Sequence, residues 1–259
     1  MSIPKPLAFF GATGDCAGHC LALSLRANHP CTALARTPAK LTASMKVKGV
    51  SDERLDRNLT IIQGDVRDVE AVKRTLQNQT TNEVADTIVV GVGAYPTMQW
   101  SLTDPIVQQD PTICQDAGTT ILEALAQLKP AKKPLLVNVS TTGIPVAGKA
   151  WDVPWWFSWL YRVLLHNAHA DKIVLQDNLA HHVSLPEGQK VIRGYVNTKA
   201  SLLMDGEALG LQIVREGSED EPAVGYTIRR ADVGLWMYER LVKGEVKREW
   251  LNKGVCITY

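Results

Sequence analysis

Three glycines, Gly11, Gly14 and Gly18, punctuate the stretch Leu7-Ala-Phe-Phe-Gly-Ala-Thr-Gly-Asp-Cys-Ala-Gly-His-Cys20, between four apolar residues and the leucines Leu21, Leu23 and Leu25. The order reads strand, glycine turn, helix. Such a turn aims backbone N–H groups at an anion from the positive end of a helix, and with no Cβ in the way a phosphate can come close. The spacing is GxxGxxxG rather than GxGxxG, and glycines also end strands for purely structural reasons. The candidate contacts here are Gly11, Thr13, Gly14, Asp15 and Cys16.

A second group with chemical meaning follows the next apolar run, where Arg36 and Thr37 stand with Lys40 near them. A carboxylate at this place would bind a ribose 2′-hydroxyl, whereas a guanidinium suits a 2′-phosphate in charge and fork geometry. The two groups together point to a bound dinucleotide, NADP(H) rather than NAD(H). Asp65, with Val66 beside it, either meets the adenine amino group or caps the next helix. Gly91 and Gly93 close another apolar strand, and Ser140 closes the one after it.

Four of the seven tryptophans lie within Trp151-Asp152-Val153-Pro154-Trp155-Trp156-Phe157-Ser158-Trp159. One reading is a helix start, with Asp152 as its cap and Pro154 in the first turn. The other is an aromatic wall, carried by Trp151, Trp155 and Trp156, for a flat or polycyclic apolar substrate. Asp152 would then be the acid or base, its pKa raised by desolvation among indoles. His166 and His169, three residues apart on the following helix, could face the same ligand together with Lys172. His169 is the rival to Asp152, and Tyr195 and Lys199 could line a substrate loop. His181 and His182 fit a helix end through the macrodipole.

These residues need a scaffold, and the pattern supplies one. Strands are expected at 7–10, 31–35, 59–63, 85–92, 134–139, 190–193 and 254–258. Helices are expected after the glycine turn, at 38–47, 69–77 and 111–128, in a long segment ending near 182, and at 231–242. Alternating strands and helices predict an α/β fold, a doubly wound parallel sheet with helices on both faces. Unbroken apolar strands such as Ile88-Val89-Val90 agree, since parallel strands are covered on both sides. Ligands of such sheets bind beyond the carboxyl ends of the strands, where the residues singled out above fall.

At 259 residues, 45% hydrophobic and 21% charged, the chain fits one globular domain spanning 1–259, with substrate-pocket elements at about 144–170 and 194–228. A net charge of +1 offers nothing to nucleic acid or to an anionic membrane, so the expected partner is a small hydrophobic molecule, the protein being a monomer or homodimer. With the first strand starting at Leu7 and no apolar run of about 20 residues, neither a signal peptide nor a membrane span is expected, and the protein is placed in the cytoplasm. Five scattered cysteines fit reduced thiols. Cys16, His19 and Cys20 lack a second ligand pair at zinc spacing, so no metal is expected.

The runs Phe-Phe-Gly-Ala-Thr-Gly, Ala-Arg-Thr-Pro-Ala-Lys-Leu, Gly-Asp-Val-Arg-Asp, Ala-Asp-Lys-Ile-Val-Leu-Gln and Tyr-Thr-Ile-Arg-Arg-Ala-Asp-Val-Gly, in this order, resemble the atypical, nitrogen-regulator-like short-chain dehydrogenases/reductases. The likeness covers nearly the whole chain and extends to the branch found in fungal secondary metabolism, where some members reduce substrates and others keep the nucleotide while guiding isomerisation or cyclisation. It implies a Rossmann fold, a nicotinamide cofactor and a Ser-Tyr-Lys set in which the phenol passes the proton and the lysine holds the nicotinamide ribose. Ser140 and Lys172 match two of these. The tyrosine position falls on Ala168, so the phenol is absent. A literal YxxxK at Tyr195–Lys199 stands 55 residues after Ser140, too far for the family spacing, and is read as chance.

Two functions follow. One is an enzyme that uses NADP(H), as hydride carrier or as scaffold for a redox-neutral rearrangement. The other is a dinucleotide-sensing regulatory protein without turnover.

Overall fold

The structure, a computed structural model, describes residues 4–78, 82–94, 96–98, 106–146, 148–154 and 166–259, without the side chains of 96–98, 106–108 and 166–169. Trp155 and Trp156 lie outside the described residues, as do the side chains of His166 and His169.

The amino-terminal half alternates strand and helix. It runs β1 (Leu7–Phe10), α1 (Asp15–Arg26), β2 (Cys31–Ala35), α2 (Pro38–Val47), α3 (Asp52–Asn58), β3 (Leu59–Gln63), α4 (Val69–Leu76) and β4 (Thr87–Val90). A short antiparallel pair, β5 (Pro96–Met98) and β6 (Ile106–Gln108), precedes α5 (Ile113–Leu128). Then come β7 (Leu135–Thr141), α6 (His166–Ser184), β8 (Gly194–Ala200), β9 (Leu202–Met204), β10 (Arg215–Ser218), β11 (Thr227–Arg229), α7 (Arg230–Met237) and β12 (Lys253–Thr258).

Eight strands form one sheet in the order β10-β12-β8-β7-β4-β1-β2-β3, parallel except for the edge strand β10. Order reverses between β1 and β4, and a ligand crevice opens at such a switch point. Each face carries its own core. Leu7, Phe9 and Val89 face α1 and α7, while Ala8, Phe10 and Val90 face α4, α5 and α6, as the period-two alternation of a strand requires. The helix α7 continues through a π-turn to Val242, as the sequence led us to expect. Gly234 on α7 lets it close on α1, for a Cβ there would lie 2.4 Å from that of His19.

Several elements depart from expectation. The helix α3, the β5–β6 pair and the short strands β9, β10 and β11 are additional, and the sixth central strand is Gly194–Ala200 rather than 190–193. Val191 and Ile192 pack below that strand, whereas its own sequence, Tyr-Val-Asn-Thr-Lys-Ala, is half polar and hid it. Every residue of β8 is nevertheless buried. Asn138 on β7 donates to Asn197 at 3.0 Å, so burial of that amide is compensated. No helix among the described residues is long and apolar enough to cross a membrane.

Candidate functional site

The glycine turn joins β1 to α1 at the switch point. Gly11 adopts φ +74°, and a Cβ there would stand 2.6 Å from the Gly91 carbonyl carbon, so this glycine is required by the fold itself. Gly14 is different. Its backbone is extended at φ −78°, its N–H donates to Gly11 O at 3.0 Å, and as residue before α1 it brings no side chain to the helix start. Its dihedral angle suits a side chain, but a Cβ would press on Gly11 O at 3.3 Å and would occupy the space before the free N–H groups. Asp15, the first residue of α1, would repel an anion. Lys48 pairs with it at 2.8 Å, and that hydrogen bond pulls its pKa down. Cys16 and Cys20 face inward, and burial pushes both thiols up to about 12, which keeps them protonated and poor as metal ligands.

A cavity of about 390 Å³ opens in front of this turn. Gly11, Thr13 and Gly14 line its floor, and Gly91 and Gly93 bound it from β4. Beyond β2 its wall is Arg36, Thr37 and Lys40, all three exposed and without an acid at the strand end. Beyond β3 it is Asp65 and Val66. Asp65 accepts from the Arg67 N–H at 3.0 Å, while the cap of α4 is Asp68, which accepts from Glu70 and Ala71. Of the two roles expected for Asp65, the cap therefore belongs to its neighbour.

Arg67, Asp110 and Asp116, not singled out in the sequence, pin the start of α5 beside this cavity. The guanidinium binds both oxygens of Asp110, at 2.7 and 2.8 Å, and Asp116 at 2.8 Å. Asp171 of α6 accepts the N–H groups of Cys114 and Gln115, both at 2.8 Å, and so caps α5 from another helix. No local pattern announces a cap supplied from 56 residues away.

At the end of β7, Ser140 is buried and its hydroxyl accepts from Gln176 at 2.6 Å. Lys172, four residues before Gln176 on α6, donates to Val139 O at 2.9 Å. The structure thus brings Ser140 and Lys172 together at the end of β7.

Asp152 is placed otherwise than either reading held. It is 4% exposed, accepts the Gly143 N–H at 2.8 Å and forms an ion pair with Lys199, itself 3% exposed. Cys256, its thiol pushed up to about 12 by burial, donates at 3.6 Å to Asp152 Oδ2, the oxygen that Lys199 also meets. With both oxygens so engaged, Asp152 neither caps a helix among the described residues nor stands as a free acid. Trp151 lines a small cavity with it.

Tyr195 is not brought to this end. It sits at the start of β8, the amino end of the strand, in the core between the sheet and its helices, where burial lifts the phenol to about 12. Tyr195 and Lys199 occupy one extended strand, four residues and about 13 Å apart. A catalytic YxxxK needs the two side chains one helical turn apart. His182 also departs from the macrodipole reading, for burial lowers its pKa and its Nε2 accepts from the Val191 N–H at 2.9 Å, which a protonated ring could not do.

A parallel sheet that turns at β1/β4, with a glycine turn at that point and a serine and a lysine beside it, defines a dinucleotide-binding short-chain dehydrogenase/reductase fold. The sequence agrees: residues 11–243 match the NAD(P)H-binding family, and the chain belongs to it as an atypical short-chain dehydrogenase/reductase. It is 40% identical to the reductase pytE of Aspergillus terreus over the whole of both chains. With the oxidase pynE of Aspergillus niger it shares 36%, over 100% of this chain and 99% of the relative. A solved short-chain dehydrogenase/reductase of Veillonella parvula, in complex with NADP, superposes with a TM-score of 0.68 at 14% identity, covering 99% of this chain and 95% of that one.

Proposed function

We propose that the protein is an NADP(H)-dependent oxidoreductase acting on a hydrophobic, flat or polycyclic small metabolite in fungal secondary metabolism. The observation that carries this reading is the open cavity at the switch point, with glycine backbone on its floor and Arg36, Thr37 and Lys40 on the ribose side. The fit to a dinucleotide is one of charge as well as shape, since Lys48 neutralises the one acid in the turn. Arg36 supplies the fork for a 2′-phosphate, Asp65 stands where the adenine amino group would lie, and Lys172 beside Ser140 is within reach of the nicotinamide ribose. When bound, the nucleotide supplies or accepts hydride. The names of the two fungal relatives, a reductase and an oxidase, support redox chemistry.

The test is a titration. Wild-type protein should bind NADP(H) more tightly than NAD(H), and Arg36→Ala should weaken NADP(H) by roughly 2 kcal/mol, about 30-fold, with NAD(H) little changed. Equal affinities in the wild type would overturn the assignment. Ala168 in place of the tyrosine favours a second reading, a redox-neutral rearrangement with the nucleotide as scaffold. Product formation without loss of the reduced nicotinamide's near-ultraviolet absorbance would select it, and tight binding with no turnover would mark a sensor.

A further inference from the structure

The parallel register aligns Ser140 of β7 with Lys199 of β8 and Lys199 with Cys256 of β12. Register partners on neighbouring parallel strands point to the same face about 4.8 Å apart. Lys199 therefore stands next to the serine that marks the reaction end of the sheet, on the side away from the dinucleotide cavity. An ammonium has three N–H donors. Among the described residues, one meets Asp152 and one meets Ile144 O at 3.2 Å, leaving the third without a protein acceptor. The ammonium borders a cavity of about 60 Å³ lined by Ile144, Trp151 and Pro222 and by the charged residues Lys149 and Glu219, room for a few heavy atoms.

A buried ion pair is weak as a stabilising device, because desolvating two charges offsets most of their attraction. Here the carboxylate is fully provided for, by the Gly143 N–H and the Cys256 thiol as well as by Lys199, while the cation keeps a donor to spare. Such an arrangement holds an ammonium in place for a third partner. Resting on the proposed reading of the main cavity, we infer that Lys199 is an oxyanion-binding residue. Its free N–H donates to the carbonyl or enolate oxygen of the substrate, and Asp152 is its positioning residue. Negative charge developing on that oxygen would meet a buried ammonium held in place beforehand, and preorganised donors of this kind stabilise such charge.

The probe is 7-hydroxycoumarin, a flat bicyclic phenol whose neutral and anionic forms absorb at different wavelengths, added below its own pKa to protein saturated with NADP+. Wild-type protein should bind it as the anion. Lys199→Met should bind it as the neutral phenol, weaker by roughly tenfold or more, with NADP+ affinity unchanged. Because Lys199→Met leaves a buried carboxylate unpaired, the charge-free double variant Lys199→Met/Asp152→Asn is tested beside it and should behave alike. The inference is overturned if the dye keeps the same affinity and spectrum in the double variant, or if NADP+-loaded wild type does not bind it. Failure of the wild type to bind NADP+ at all would instead overturn the reading of the main cavity.

Discussion

The two ends of one sheet edge handle charge in opposite ways. Over β1–β4 the site is open, its polar atoms are backbone N–H groups, and its cations, Arg36 and Lys40, are exposed. Over β7, β8 and β12 the site is small, its charges are side chains, and Asp152 and Lys199 are almost without solvent contact. The first is suited to a large, strongly anionic ligand that arrives with its own charge. On the proposed reading, the second is suited to a small polar group on an apolar molecule. On that proposed reading, recognition of the nucleotide is separated from handling of the substrate by the width of β7.

Removing one member of the buried pair should give the largest effect. Lys199→Met leaves Asp152 buried and unpaired, so stability should fall by about 3–5 kcal/mol, and Lys199→Met/Asp152→Asn should recover much of it. Urea melts of wild type and both variants measure this, and equal losses in the single and double variants would contradict a coupled pair.

Next is the open site. Gly14→Val should weaken NADP(H) by roughly 100-fold with a much smaller change in melting temperature, since φ −78° suits any residue and the contact with Gly11 O at 3.3 Å asks for only a small shift. Normal binding by this variant would place the phosphates elsewhere. Gly11→Val, by contrast, should fail to fold.

Smaller in effect is the contact that joins the two regions. Asp171→Ala removes the cap from Cys114 and Gln115 and should cost about 1–2 kcal/mol of stability, seen as a lower urea midpoint. If the midpoint is unchanged, α5 is held by Arg67 alone.

The smallest effect lies far from both sites. His182 has a lowered pKa because of burial, with His181, Lys133 and Lys190 adding like charge. Its unfolded form takes up a proton more readily, so its contribution is complete above about pH 6.5 and declines as pH falls below that value. His19, also lowered by burial, acts in the same direction. Between pH 8 and 5.5 the urea midpoint should drop, and His182→Gln should show a shallower drop. An identical slope would assign the dependence to other groups.

Much of the fold was legible in the sequence because its signals are local. Apolar runs of strand length, helical periodicity and glycines between them identified the doubly wound sheet and seven of its nine longest elements to within a few residues. The strand β8 escaped because Asn197 and Lys199 look polar in sequence and become acceptable in a core only through Asn138 and Asp152, partners 59 and 47 residues away. The same holds for the sites. That the glycine turn, Arg36 and Asp65 lie at strand ends was legible, since a turn and a strand end are made by consecutive residues, whereas Ser140 and Lys172, 32 residues apart, were paired only through the family resemblance. That Asp152 is bound to Lys199, that Tyr195 lies at the wrong end of its strand and that Asp171 caps a helix it does not precede were decided by the packing of distant segments. Ion pairs and caps between strands and helices depend on register and approach, and no spacing along the chain encodes those.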